Sequence, residues 1–92
     1  MKIEKTWYLY MVRCQNNALY TGITIDIDAR VKTHNEGKGA KSLRMLGLPV
    51  ELVHTEKIGT YSEALKREMQ IKKLNKQAKE ELIQIGDIQI NI

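Results

Sequence analysis

Two short runs of aromatic and aliphatic residues, separated by an asparagine turn, constrain this chain more than any other feature. Trp7 to Arg13 reads Trp-Tyr-Leu-Tyr-Met-Val-Arg, and Leu19 to Ile23 resumes the same composition after Gln15-Asn16-Asn17. Both runs have the residue types of β-strands. Asparagine tolerates left-handed backbone geometry, so the triplet is a turn and the runs should pair as an antiparallel hairpin with cross-strand aromatic contacts. Alternation along a strand puts Tyr8 and Tyr10 on one face of the first run, and Tyr20 and Gly22 on one face of the second. A glycine inside a strand implies a bulge or a close approach to the backbone.

Beyond the hairpin the pattern changes to helices. Asp26 suits the N-cap of a helix starting at Ile27, with Asp28 favourable in its first turn. Gly37, after Asn35-Glu36, suits a left-handed C-terminal position. Gly37 to Lys41 reads as a basic loop, followed by a short helical piece through Met45 that Gly47 and Pro49 close. Val50 to Lys57 is a third strand. Thr60-Tyr61-Ser62-Glu63 matches a capping box and opens a helix to about Leu74. Asn75 suits the cap of a last helix to about Ile85, ended by Gly86. The alternating Ile88, Ile90 and Ile92 suit an edge strand or a frayed end. The order strand, strand, helix, strand, helix, helix (ββαβαα) gives an α+β fold, a three-stranded antiparallel sheet flanked by helices.

Size and charge narrow the class. A chain of 92 residues supports one domain, with its core over about residues 6–84 and a tail at 86–92. It buries roughly 60–65% of the surface its unfolded form exposes. No apolar run approaches the roughly 20 residues needed to span a bilayer, and the first residues lack a secretory pattern. The one cysteine, Cys14, excludes an internal disulfide and a cysteine-based zinc site, so a reducing cytoplasm is the natural compartment. Eleven of the 15 bases fall in two segments. Arg30, Lys32, Lys38, Lys41 and Arg44 form the first; Lys66, Arg67, Lys72, Lys73, Lys76 and Lys79 form the second. Each segment holds one acid, Glu36 and Glu68 respectively. Such clustering suits either a phosphate-tracking surface or two solvated helix faces.

Polar groups stand where packing residues belong. At about 100° per residue, Ile27, Arg30, Val31 and His34 share one stripe of the first helix. Arg30 and His34 there either snorkel and cap or face an anion, which arginine binds bidentately. On the later helix, Ala64, Leu65 and Ile71 define an apolar stripe with Glu68 near its middle. A lone carboxylate in that position needs compensation. Arg30, Lys41 or a divalent ion could each supply it. Tyrosines, an arginine and a glutamate around a phosphate-sized gap suit phosphodiester hydrolysis.

In this ordered set the chain resembles the GIY-YIG nuclease superfamily, specifically its small single-domain bacterial branch. Tyr8-Leu9-Tyr10 resembles the first half-motif and Tyr20-Thr21-Gly22 the second. Arg30 matches the family's catalytic arginine, and His34 stands where other branches carry a tyrosine. Gly-Lys-Gly-Ala-Lys at 37–41 resembles the branch's loop. Glu68 matches the metal-binding glutamate. The likeness covers roughly residues 6 to 84 and implies a one-metal mechanism. In it, Tyr10 or Tyr20 deprotonates or orients water, Arg30 stabilises charge on the phosphate, and His34 assists positioning or proton transfer. Glu68 holds Mg²⁺ or Mn²⁺.

The implied substrate is DNA that is branched, nicked or otherwise structured, cut in repair or recombination. The backbone would be met by Lys38, Lys41, Arg44, Lys72 and Lys73. Specificity would come from shape or from a protein partner. Ile23, where several branches carry lysine or serine, leaves Lys41 as the substitute cation. With His34 it also motivates an alternative, a non-catalytic nucleic-acid-binding module on the same fold. A third reading is an interaction domain that pairs through its terminal strand.

Overall fold

The computed structural model describes residues 5–89. The hairpin forms as expected from Trp7–Arg13 (β1) and Leu19–Thr24 (β2). Its turn places Asn17 at φ 72°, the left-handed geometry asparagine accepts. Glu51–Gly59 (β3) pairs antiparallel with β1 on the other side, giving the sheet order β2-β1-β3. Four helices complete the element order: Ile27–Asn35 (α1), Lys41–Leu46 (α2), Tyr61–Lys72 (α3) and Lys76–Gln89 (α4). The α+β architecture read from the sequence is the one observed.

β1 is the central strand, and its alternation sorts the core into two layers. Tyr10, Val12 and Cys14 face one side, where they pack with Leu43 of α2, Val50, and the Ile27 and Val31 side chains of α1. Leu9 and Met11 face the other, against Ile71 of α3 and Ile83 of α4. Leu9, Met11, Val12 and Ile71 have no exposure at all. The helices therefore cover both faces of the sheet.

Local signals set the element ends. Asp26 accepts the Ala29 N–H at 3.0 Å, and Asp28 lies in the first turn of α1. Thr60 and Glu63 cap each other reciprocally at the start of α3. Asn75 accepts the Ala78 N–H at 2.8 Å at the start of α4. Trp7 meets Tyr61 edge-on at 4.8 Å between centroids, which joins the start of β1 to the start of α3.

The C-terminal region differs from the sequence expectation. Gly86 does not end the last helix, and residues 87–89 are helical rather than strand. Ile90 and Ile92 of the expected alternating tail lie outside the described residues. Glycine costs only about 1 kcal/mol within a helix and retains its N–H, so it need not stop one. Its value here is proximity. A Cβ at position 86 would lie 3.1 Å from His54 Nδ1 and 3.3 Å from Cε1. The missing side chain lets α4 lie against β3.

Candidate active site

Register builds the site before any helix joins it. Tyr10 stands opposite Gly22, and Val12 stands opposite Tyr20. Tyr10 and Tyr20 are thus diagonal neighbours on one face, with ring centroids 6.3 Å apart. Gly22 leaves the space the Tyr10 ring occupies. A Cβ there would sit 2.6 Å from Tyr10 Oη and 2.7 Å from Cζ. The strand glycine therefore marks a close approach, and the approaching group is a phenol.

α1 supplies the third ring. His34 sits in its last turn, 2% exposed, and its Nε2 lies 2.8 Å from Tyr10 Oη. Its ring is 5.9 Å from that of Tyr10 and 5.5 Å from that of Tyr20, edge-on to the latter. Behind it runs the loop at 37–40. Position 39 is so close that a Cβ would overlap His34 Nδ1 and lie 2.8 Å from Cε1. Two glycines from separate segments thus flank the Tyr10–His34 pair. The sequence singled out Gly22 but not the role of Gly39, because contact between a loop and a helix end has no periodic signature.

Arg30 is exposed on α1, one helical turn before His34. Its charge reaches both members of the pair. The His34 imidazole is held below its ordinary pKa, first by burial and then by the Arg30 guanidinium. Tyr10 is pushed well above the usual phenol value. Burial is the main cause and Tyr20 adds to it, while Arg30 opposes the shift and Glu68 reinforces it. The influence of Glu68 is informative because α3 packs on the opposite face from Tyr10. β2 has no further strand beyond it among the described residues, and it carries Gly22. The Glu68 carboxylate, on a helix that packs against the other face, thus raises the pKa of the Tyr10 phenol.

Glu68 keeps 17% of its side chain exposed, with Ala64 and Ile71 buried on either side of it along α3. Its ion-pair partner is Lys72 at 3.4 Å, one turn along the helix. The sequence offered Arg30, Lys41 or a divalent ion as the compensating cation. The observed pair is instead the local one, because residues i and i+4 are neighbours on a helix surface. Among the described residues no group of three or more His, Cys, Asp or Glu forms a metal cage. The donor set at Glu68 is one carboxylate open to water. That fits a hard ion, which takes one or two carboxylates and otherwise water and phosphate oxygens.

The bases divide. Lys38 and Lys41 flank the Gly39–Ala40 segment in sequence and are exposed. Lys72 lies beside Glu68. Arg44 and Lys73 are exposed, but no contact joins either to the tyrosines, His34 or Glu68. Two bases of the second cluster are engaged elsewhere. Arg67 grips Glu56 through two hydrogen bonds of 2.7 and 3.0 Å, and Glu56 also meets His54 at 2.8 Å. Lys76 bonds Glu80 at 2.8 Å, alongside Arg13, which makes two 2.7 Å bonds to the same carboxylate. That cluster is therefore partly structural.

The family model of the GIY-YIG catalytic domain matches residues 6–81, which include both tyrosines, His34, Arg30 and Glu68. The chain belongs to the GIY-YIG family. This is a nuclease family: its domain implies endonuclease activity on nucleic acid, and its members generally use divalent metal ions. Similar proteins include a UPF0213 protein of Cronobacter sakazakii, 49% identical over 77 residues, covering 84% of this chain and 80% of the relative. A UPF0213 protein of Staphylococcus epidermidis is 49% identical over 79 residues, 86% of this chain and 95% of that one. Among solved structures, the UPF0213 protein BH0048 of Bacillus halodurans is 39% identical, with a TM-score of 0.56 over 87% of this chain and 84% of that one. Protein EF2693 of E. faecalis is 40% identical, with a TM-score of 0.59 over 92% of this chain and 91% of that one. The GIY-YIG chain described here also has no helix, among its described residues, long and apolar enough to cross a membrane.

Proposed function

We propose that this chain is a divalent-metal-dependent DNA endonuclease that hydrolyses phosphodiester bonds at branched, nicked or otherwise structured sites, in repair or recombination. The carrying observation is the Tyr10–Tyr20–His34 ring cluster with its buried 2.8 Å Tyr10–His34 bond, beside which Arg30 lowers and Glu68 raises the pKa of the Tyr10 phenol.

Each group has a role matched to its surroundings. Arg30 is exposed, so an incoming phosphate can reach its guanidinium, which is suited to bidentate capture and to charge developing on the phosphoryl oxygens. Tyr10 or Tyr20 orients the attacking water; a free phenol with a pKa near 10 is a weak base at neutral pH. His34 holds Tyr10 through the 2.8 Å bond and positions it. Glu68 would hold a Mg²⁺ or Mn²⁺ ion, which when bound polarises the phosphate and lowers the pKa of water. Lys38, Lys41, Arg44, Lys72 and Lys73 are read as contacts to the DNA backbone. Such contacts position a duplex without reading its sequence, so substrate shape or a protein partner would supply specificity.

The test is cleavage of nicked, flapped and branched DNA in Mg²⁺ or Mn²⁺, with chelator controls, by the wild type and by Glu68→Gln. The substitution should lower the cleavage rate by roughly 100-fold or more. It should alter stability by less than about 1 kcal/mol, because the Lys72 pair is long and partly exposed. Undiminished cutting by Glu68→Gln would remove the metal role. Salt-sensitive binding by the wild type, with no metal-dependent cleavage of any substrate, would instead establish a binding module.

A further inference from the structure

Among the described residues, His34 is a buried, nucleophilic ring with one nitrogen fully accounted for and the other abandoned. Nε2 meets Tyr10 Oη at 2.8 Å, while Nδ1 is buried with no hydrogen-bond partner. Gly39 is the reason. Its backbone presses on the Nδ1 side so closely that even a methyl group would overlap the ring. No carbonyl or hydroxyl accepts there.

A neutral imidazole carries one proton, on either nitrogen. A buried N–H without an acceptor is a rarer and costlier defect than a buried lone pair without a donor. Placing the proton on Nδ1 would orphan an N–H against Gly39. Placing it on Nε2 gives it Tyr10 Oη and leaves only a lone pair facing Gly39. We propose that Gly39 fixes His34 as the Nε2–H tautomer, so that His34 donates to Tyr10 and directs the phenol's own proton away from the ring. Gly39 and His34 are then positioning residues acting through Tyr10.

This deepens the nuclease reading and rests on it for its catalytic consequence. With Nε2–H pointing at its oxygen, Tyr10 cannot pass its proton to His34. Gly22 closes a second side of the hydroxyl, a Cβ there lying 2.6 Å from Oη. The phenol's own proton is turned away from both His34 and Gly22, and Tyr10, 1% exposed, serves as a fixed, protonated member of the cluster. The water-orienting role then falls to Tyr20. The elevated pKa of Tyr10 agrees, since it keeps that phenol protonated. Proton count is conserved throughout: His34 and Tyr10 each hold one proton and neither transfers it to the other.

The tautomer can be read directly. Long-range ¹H–¹⁵N correlation spectra of uniformly labelled protein distinguish a protonated from a bare imidazole nitrogen, with the His34 signals assigned by their loss in His34→Gln. The spectra are taken at mildly alkaline pH, where the ring is neutral. Nε2 should carry the proton and Nδ1 should be bare. A protonated Nδ1, or fast averaging of the two forms, overturns the proposal while leaving the nuclease reading intact. A chain that cuts no DNA but shows the Nε2–H form leaves the tautomer standing and removes only its catalytic consequence. Where cleavage is measurable, His34→Gln retains an amide donor at the Nε2 position, whereas His34→Asn places one at the Nδ1 position. The Gln variant should exceed the Asn variant in kcat by roughly tenfold, with KM shared. Equal kcat values for the two would overturn the positioning role.

Discussion

Replacing Gly22 by alanine sets two effects of known size against each other. In an ordinary strand, glycine is weaker than alanine by about 0.5–1 kcal/mol, so the substitution should stabilise. Gly22 has no left-handed backbone angle to forbid a side chain. The opposition comes from Tyr10, which supplies the three nearest atoms. The new Cβ would lie 2.6 Å from Oη, 2.7 Å from Cζ and 2.9 Å from Cε1. Tyr10 cannot swing clear, because it is 1% exposed and bonded to His34. Forcing extra carbon into such a site costs typically about 1–3 kcal/mol. Three contacts below 3.0 Å put the cost in the upper half of that range, so the net expectation is a loss of about 1–2 kcal/mol. For a chain of 92 residues that lowers Tm by roughly 4–16 °C. Thermal unfolding followed by circular dichroism measures it. Tyr10→Leu alone opens a cavity and destabilises too, but in the double variant the alanine methyl has room. The double variant should therefore be more stable than the sum of the singles predicts, by about 1 kcal/mol or more. A Gly22→Ala protein as stable as the wild type, or strict additivity in the cycle, would refute the idea that the ring requires this glycine.

Two further outcomes follow from polar contacts. Asn35 accepts the Val50 N–H at 2.7 Å, and Val50 is 7% exposed, so Asn35→Ala should cost about 1–3 kcal/mol in urea unfolding with an unchanged m-value. The Glu80 carboxylate is held down to about 2, chiefly by hydrogen bonds from Arg13 and then Lys76. Its stabilisation is therefore present above the unfolded carboxylate value near 4.3 and is lost as pH falls from there toward 2. Glu80→Gln should flatten that acid limb of Tm against pH, by less than about 1 kcal/mol because the pair is partly exposed.

The hairpin, the third strand and the capped helix starts were legible because each follows from local chemistry. Alternation fixed which tyrosines share a face, and Asp26, Thr60 and Asn75 acted as caps through bonds spanning three residues. Two departures from pattern were legible too: Glu68 interrupts an apolar stripe and Gly22 interrupts a strand. Pairing choices were less so. The cation beside Glu68 proved to be the helical neighbour Lys72, and Arg67 turned away to Glu56, which lies 11 residues earlier on β3.

By itself, then, the order of residues determined the strands, the caps and the inventory of reactive groups, because those depend on steric and hydrogen-bonding preferences within a few positions. Only the packed structure decided how that inventory is used. Gly39 meets His34 across a loop, Gly22 makes room for the Tyr10 ring, and Gly86 meets His54 across two elements. Such approaches depend on how close two backbones come, and a missing side chain shows its purpose only when the neighbour that needs the space is in place.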